Sequence, residues 1–336
     1  MRASFWNKAI AWKEWRQHKG KFWGFGVILS ITPIINPVFL FIIKAVDKPH
    51  VNPDPIFNDP AAWSGSIAAM LNSPSNSSMG IFAVLVALGL GALAVAQERS
   101  ENTLEFLVAT PLSRREIAGT KFLVGAGGLV CIMFVNFLFI TALALILPAD
   151  YTIAEAFGWF VRETAVLLAL FGLGFLAAVV TGNLVASLLG ALAVAFSPYY
   201  IAVILCELLQ TLGIIPREYA AYDMLMNIGR YMTLPQYISD YQNFVSHAAL
   251  LVPALLLAAL ALFFLAAALF ERNPLERGGQ LLVFGDTKRI IAAVSSLFVA
   301  ALVTIAVGNR SSNLTLILVF LGVCLLAAGI AALVRK

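Results

Sequence analysis

A chain of 336 residues with 61% hydrophobic and 12% charged side chains has no aqueous fold open to it, because soluble domains run at about 45–50% and 25%. Its net charge of +4 says little until it is divided between the two sides of a membrane. Uncharged apolar runs recur along the sequence, each long enough to cross the roughly 30 Å hydrocarbon core as a helix. The composition predicts an all-α polytopic membrane protein.

In chain order, residues 1–21 carry six Lys and Arg against the single acid Glu14. Phe5, Trp6, Trp12 and Trp15 recur at helical spacing among those cations, which predicts an interfacial amphipathic helix lying at headgroup level. The basic N-terminus lacks a small-residue cleavage site, so no removable leader is expected. A first span over residues 22–44 holds Pro33 and Asn36-Pro37, where a kink is expected. Residues 47–78 read as an irregular loop with a short helix around 61–71. Further spans are expected at 79–96, 121–147, 156–181, 183–206, 247–270, 290–307 and 314–333. A tight Thr181-Gly182-Asn183 turn joins the fourth to the fifth.

Eight spans bring both termini to one side. That side carries 16 Lys and Arg and the other carries 6, so the positive-inside rule puts both termini in the cytoplasm. Glycines cluster within the second, third and fourth spans, among them Gly91, Gly125, Gly128 and Gly174, as close helix packing requires.

No phosphate-binding GxxxxGK[ST] loop, zinc-protease HExxH or GxSxG elbow occurs. Cys131, Cys206 and Cys324 are spaced for neither disulfides nor a metal. Charge within the spans is scarce, and Arg162-Glu163 is the exception. The pair is interfacial if the fourth span begins near Ala165, and otherwise forms an intramembrane polar site facing the bundle interior.

The most informative stretch is Gln97–Glu116, a largely polar run of about twenty residues between two spans that four or five could join. Pro111 stops one helix and Ser113-x-x-Glu116 is a capping box that starts the next. The pattern Glu98-x-x-x-x-Thr103-Leu104-Glu105-Phe106-Leu107-x-Ala109-Thr110-Pro111-Leu112-Ser113-Arg114-x-Glu116-Ile117 resembles the cytoplasmic signature of ABC-2 type transporter permeases.

The resemblance implies an architecture and a function. After the helix at 1–21, residues 22–270 would form the six-span core, with the coupling region at 97–120 and the outer segment at 207–246. Residues 271–336, a cytoplasmic loop and two further helices, exceed that plan. The chain would be the permease subunit of an exporter in the inner membrane of a prokaryote. It would contact a separate ATPase subunit through Glu98, Arg99, Glu101, Thr103, Leu104, Glu105, Leu107, Thr110 and Pro111. ATP and Mg²⁺ would be held by that ATPase and no cofactor by this chain. A second permease subunit and the lipid bilayer complete the expected partners, with no nucleic acid among them. Two other readings fit the sequence, a non-transporting module for envelope-stress sensing or immunity and a secondary carrier.

Overall fold

The computed structural model describes residues 5–39, 42, 62–72, 79–101, 103, 112–211, 214, 220–239 and 246–273. The segment 104–111 and the expected spans at 290–307 and 314–333 lie outside the described residues. All regular elements described are helical. Five helices are long and apolar enough to cross a membrane, or six if a bent pair at the start of the chain counts as one.

Helix α1 runs unbroken over Lys8–Leu29. Its N-cap Asn7 accepts from the amides of Ala9 and Ile10, and the Asn7 amide donates to Thr120 Oγ1 at 2.9 Å. The boundary expected at residue 21 is therefore not a break. One glycine there costs a helix only about 1 kcal/mol, too little to stop it. The break comes at Ser30, where a π-helical turn over Ile31–Ile35 bends the path by 59°. Pro33 explains this, since its ring clashes with the carbonyl four residues back and it has no N–H to offer. That carbonyl belongs to Leu29 and accepts from Asn136 Nδ2 at 3.3 Å, while Ser30 Oγ donates to Asn136 Oδ1 at 2.7 Å.

A 3-10 turn at Ala62–Ser64 leads into α2, Gly65–Asn72, close to the short helix the sequence suggested. It is tied to the connection after residue 146: Trp63 Nε1 donates to the Pro148 carbonyl at 2.8 Å, and Ser64 and Asp150 bond reciprocally. Tyr151 donates to the Ile140 carbonyl at 2.8 Å, and burial pushes its phenol up to about 12.

Helices α3 (Met79–Ser100), α4 (Arg114–Ile146) and α5 (Ile153–Val180) follow. The capping box Ser113/Glu116 forms as expected, and α4 runs from it straight through Lys121. A second box, Thr152/Glu155, starts α5 three residues earlier than the apolar run alone suggested. Helix α5 is the hub, packed against α3, α4 and the last described helix, α9. Its backbone meets that of α3 directly: a Cβ on Gly91 would collide with the Phe171 carbonyl, and one on Gly174 with the Leu88 carbonyl. Gly125 and Gly128 of α4 instead make room for the rings of Phe171 and Phe22.

After the turn at 181–183, α6 spans Leu184–Thr211, followed by α7 at Ala220–Met232, α8 at Gln236–Ser239 and α9 at Ala248–Glu271. The chain divides into two compact units, with boundaries inside α6 after Leu192 and again after Thr233. In the unit holding 193–233, Gly229 of α7 lets the Ala202 methyl and Pro198 carbonyl of α6 approach. Everything below concerns the unit built from α1–α5, α8 and α9.

Candidate functional site

The ends of α1, α3 and α4 that flank the polar stretch meet in a chain of alternating charges. Glu98, near the last turn of α3, is fully buried. Its carboxylate pairs with Lys121 of α4 at 2.8 Å and with Lys13 of α1 at 2.5 Å. Lys121, 1% exposed, also pairs with Glu14 at 2.7 Å and donates to the Ala94 carbonyl at 3.2 Å. Glu14 in turn faces His18 Nε2 at 3.2 Å, one helical turn along α1. Lys21 extends the chain by donating to Gln97 Oε1, and Gln97 donates to Glu101 at 2.6 Å.

The arrangement follows from helix geometry. Ile10, Glu14, His18 and Phe22 recur every fourth residue, so the inward stripe of α1 is half apolar and half ionisable. Removing two charges from water costs several kcal/mol per ion, offset only when each finds opposite charge and hydrogen bonds. Two lysines against two glutamates make the set neutral.

Arg99 points the other way around α3. It is 7% exposed and donates to the Ala178 and Thr181 carbonyls at the C-terminal end of α5, where the helix dipole favours a cation. Asn273 donates to Val179 there at 2.6 Å. On the far side of the stretch, Arg114 donates to the Glu271 and Asn273 carbonyls at 2.9 Å each, closing the end of α9, and Arg115 pairs with the Glu271 carboxylate. Both flanks of segment 102–112 are thereby tied to other helices: α1, α4 and α5 on one side, α9 on the other.

Just inside this layer, the Phe122 ring packs edge-on against Phe171 and Phe175 and tilted against Phe263, with centroids 4.7–5.4 Å apart. Phe5 packs edge-on against Phe263 and Phe264.

The expected contact residues divide. Glu101 and Thr103 are exposed, whereas Leu104, Glu105, Leu107, Thr110 and Pro111 lie outside the described residues. Glu98 and Arg99 were expected to face a partner, but their side chains turn inward and are spent on the helix bundle. On α1 and just before it, Trp6, Trp12 and Trp15 are exposed, Trp12 by 63%, with Arg16 lying over the Trp12 ring at 5.1 Å. Of the Arg162-Glu163 pair, Arg162 is half-buried over Gly158 and Glu163 is buried on the inner face of α5.

Sequence reasoning missed Glu14, His18, Lys121 and Asn136. The signal for Glu14 was present, as the one acid in a six-cation segment. Lys121, the first charged position after the capping box, was read as a span boundary.

Residues 8–275 match the ABC-2 family transporter protein family, which covers most of the chain. The chain belongs to this family and is a transmembrane permease component of ABC-transporter type. It is also similar to the probable ABC transporter permease YtrC of Bacillus subtilis (strain 168), 22% identical over 215 residues. That alignment covers 61% of this chain and 63% of the relative, so the chain spans less than two thirds of the protein it matches. No solved structure matches.

Proposed function

We propose that the chain is the membrane subunit of an ATP-driven exporter, moved by a separate ATP-binding-cassette subunit seated beneath residues 97–120. The observation that carries this reading is the double anchoring of segment 102–112. Glu98 and Arg99 rivet its start to α1, α4 and α5, and Arg114 with Arg115 rivets its end to α9. A solvated connector has no use for such anchors. A lever arm does, because a push on the segment is then delivered to five helices together.

In this reading the basic end faces the cytoplasm, as the charge distribution favours. The exposed tryptophans of α1 lie among lipid headgroups. The partner surface is carried by Glu101, Thr103, Leu104, Glu105, Leu107, Thr110 and Pro111, while Glu98 and Arg99 act behind it by transmitting force. A second permease subunit completes the path, and the two C-terminal spans beyond the six-span core supply a further membrane-embedded surface.

Affinity purification of the tagged full chain from its native membrane tests this. An ATP-binding-cassette subunit should co-purify, and Leu104→Asp should release it while leaving the helical content intact. Retention of the ATPase by Leu104→Asp would remove the docking assignment. Absence of any ATPase with the wild-type chain would remove the exporter reading.

A further inference from the structure

Beneath the bend of α1 lies a cavity of about 50 Å³, walled by the π-turn (Thr32, Pro33), Met133 of α4 and three residues of α5, Trp159, Glu163 and Leu167. It holds three or four water-sized groups by volume. Trp159, Glu163 and Leu167 are spaced by four, so one face of α5 presents an indole, a carboxylate and an isobutyl group in line. Glu163 lies about 15 Å along α5 from Ile153, is 7% exposed, and lines the cavity. Its neighbour Arg162 lies within electrostatic reach of Glu163, but its guanidinium folds back over Gly158, a 100° step around the helix. Thr32 is also buried, with a hydroxyl that finds no hydrogen-bond partner among the described residues. A π-turn inserted in a helix is itself a frequent mark of a functional site.

We infer that this cavity seats a compact organic ammonium group, with Glu163 as its counter-ion, Trp159 as its aromatic wall and Thr32 as a hydrogen-bond acceptor. The lining decides the ligand class. An anion is refused by the carboxylate. A sodium or calcium ion would need five or more hard oxygens, whereas the polar side chains among the lining residues are Glu163, Thr32 and the indole. An alkylammonium needs one carboxylate, an aromatic face and apolar walls. That the group is the head of the exported cargo rests on the function proposed above. The cavity chemistry stands without it.

The test uses the full chain in lipid nanodiscs, titrated with trimethylammonium chloride, which has four heavy atoms and one N–H donor, and followed by tryptophan fluorescence. Sodium chloride holds ionic strength constant, and 2-propanol serves as an uncharged probe of the same size. Saturable binding is expected, weakened at least tenfold by Glu163→Gln and retained within threefold by Glu163→Asp. Trp159→Phe should remove most of the fluorescence change. Equal titration of wild type and Glu163→Gln would overturn the inference, as would equal saturation by the alcohol. If Glu163→Gln does not fold, dicyclohexylcarbodiimide, which attacks carboxyl groups in apolar surroundings, reports on the wild type directly. Trimethylammonium should slow modification of Glu163 at least fivefold by peptide mass spectrometry, and an unchanged rate would overturn the site. Loss of ammonium binding in a chain that still co-purifies with its ATPase overturns the cavity alone. Binding by a chain that captures no ATPase supports the cavity and removes its link to export.

Discussion

The two ends of the helical unit are held by different chemistry. At the basic end, three buried charges with Lys13 at their edge, and two arginine caps, join α1, α3, α4, α5 and α9. At the opposite end the ties are mostly neutral, Trp63 to Pro148 and Tyr151 to Ile140, with the Ser64–Asp150 pair and a bent α1 beside them. Neutral hydrogen bonds contribute about 0.5–1.5 kcal/mol each and break one at a time. A buried ion network loses far more when any single member is removed. The basic end is therefore the part that moves as a block, and the opposite end is the part that can yield.

Removing one charge should break the contrast most severely. Lys121→Ala leaves two buried carboxylates, Glu14 and Glu98, with the half-exposed Lys13 and with His18 as their remaining partners and should cost about 3–5 kcal/mol, read as the unfolding free energy in mixed micelles. The triple change Glu14→Gln, Glu98→Gln, Lys121→Met removes the uncompensated charge and should recover most of that loss. If the triple variant is as unstable as Lys121→Ala, packing rather than charge holds this end.

Asn136→Leu should come next. It orphans the Leu29 carbonyl at the bend and should cost about 1–3 kcal/mol, the desolvation penalty of an unsatisfied buried acceptor. Ser113→Ala removes the cap of α4 and should cost about 1 kcal/mol. Trp63→Phe deletes one neutral tie at the opposite end, with an expected loss of about 0.5–1.5 kcal/mol. A loss on Trp63→Phe as large as that on Lys121→Ala would erase the difference between the ends.

What the sequence disclosed depended on how local the cause was. The Ser113/Glu116 cap, the 181–183 turn, the proline-driven bend and the glycine-lined contacts each depend on residues a few positions apart, and all were legible. The inward turn of Glu98 and Arg99 was not. They sit in a polar run that reads as solvated, and their partners come from afar: Lys13 is 85 residues away and the Thr181 carbonyl 82. The continuity of α1 was hidden by the composition change near residue 21, where hydropathy shifts but nothing ends a helix. Glu163 stood out as a charge in an apolar run, yet its surroundings did not, because Thr32 and Met133 reach it only through the fold.

Helix α1 carries one more implication. It is a single rod of 22 residues, about 33 Å long, with Glu14 in the ion network near one end and Leu29, which borders the cavity, at the other. About 22 Å of helix separates those two residues. Pivoting the rod by about 5° at Glu14 swings Leu29 through about 2 Å, by the rise per residue alone. That travel is a sizeable fraction of the width of a cavity a few atoms across. The geometry of one continuous helix thus converts a small tilt at the charged end into a change of shape around Glu163, with no need for any intervening residue to repack.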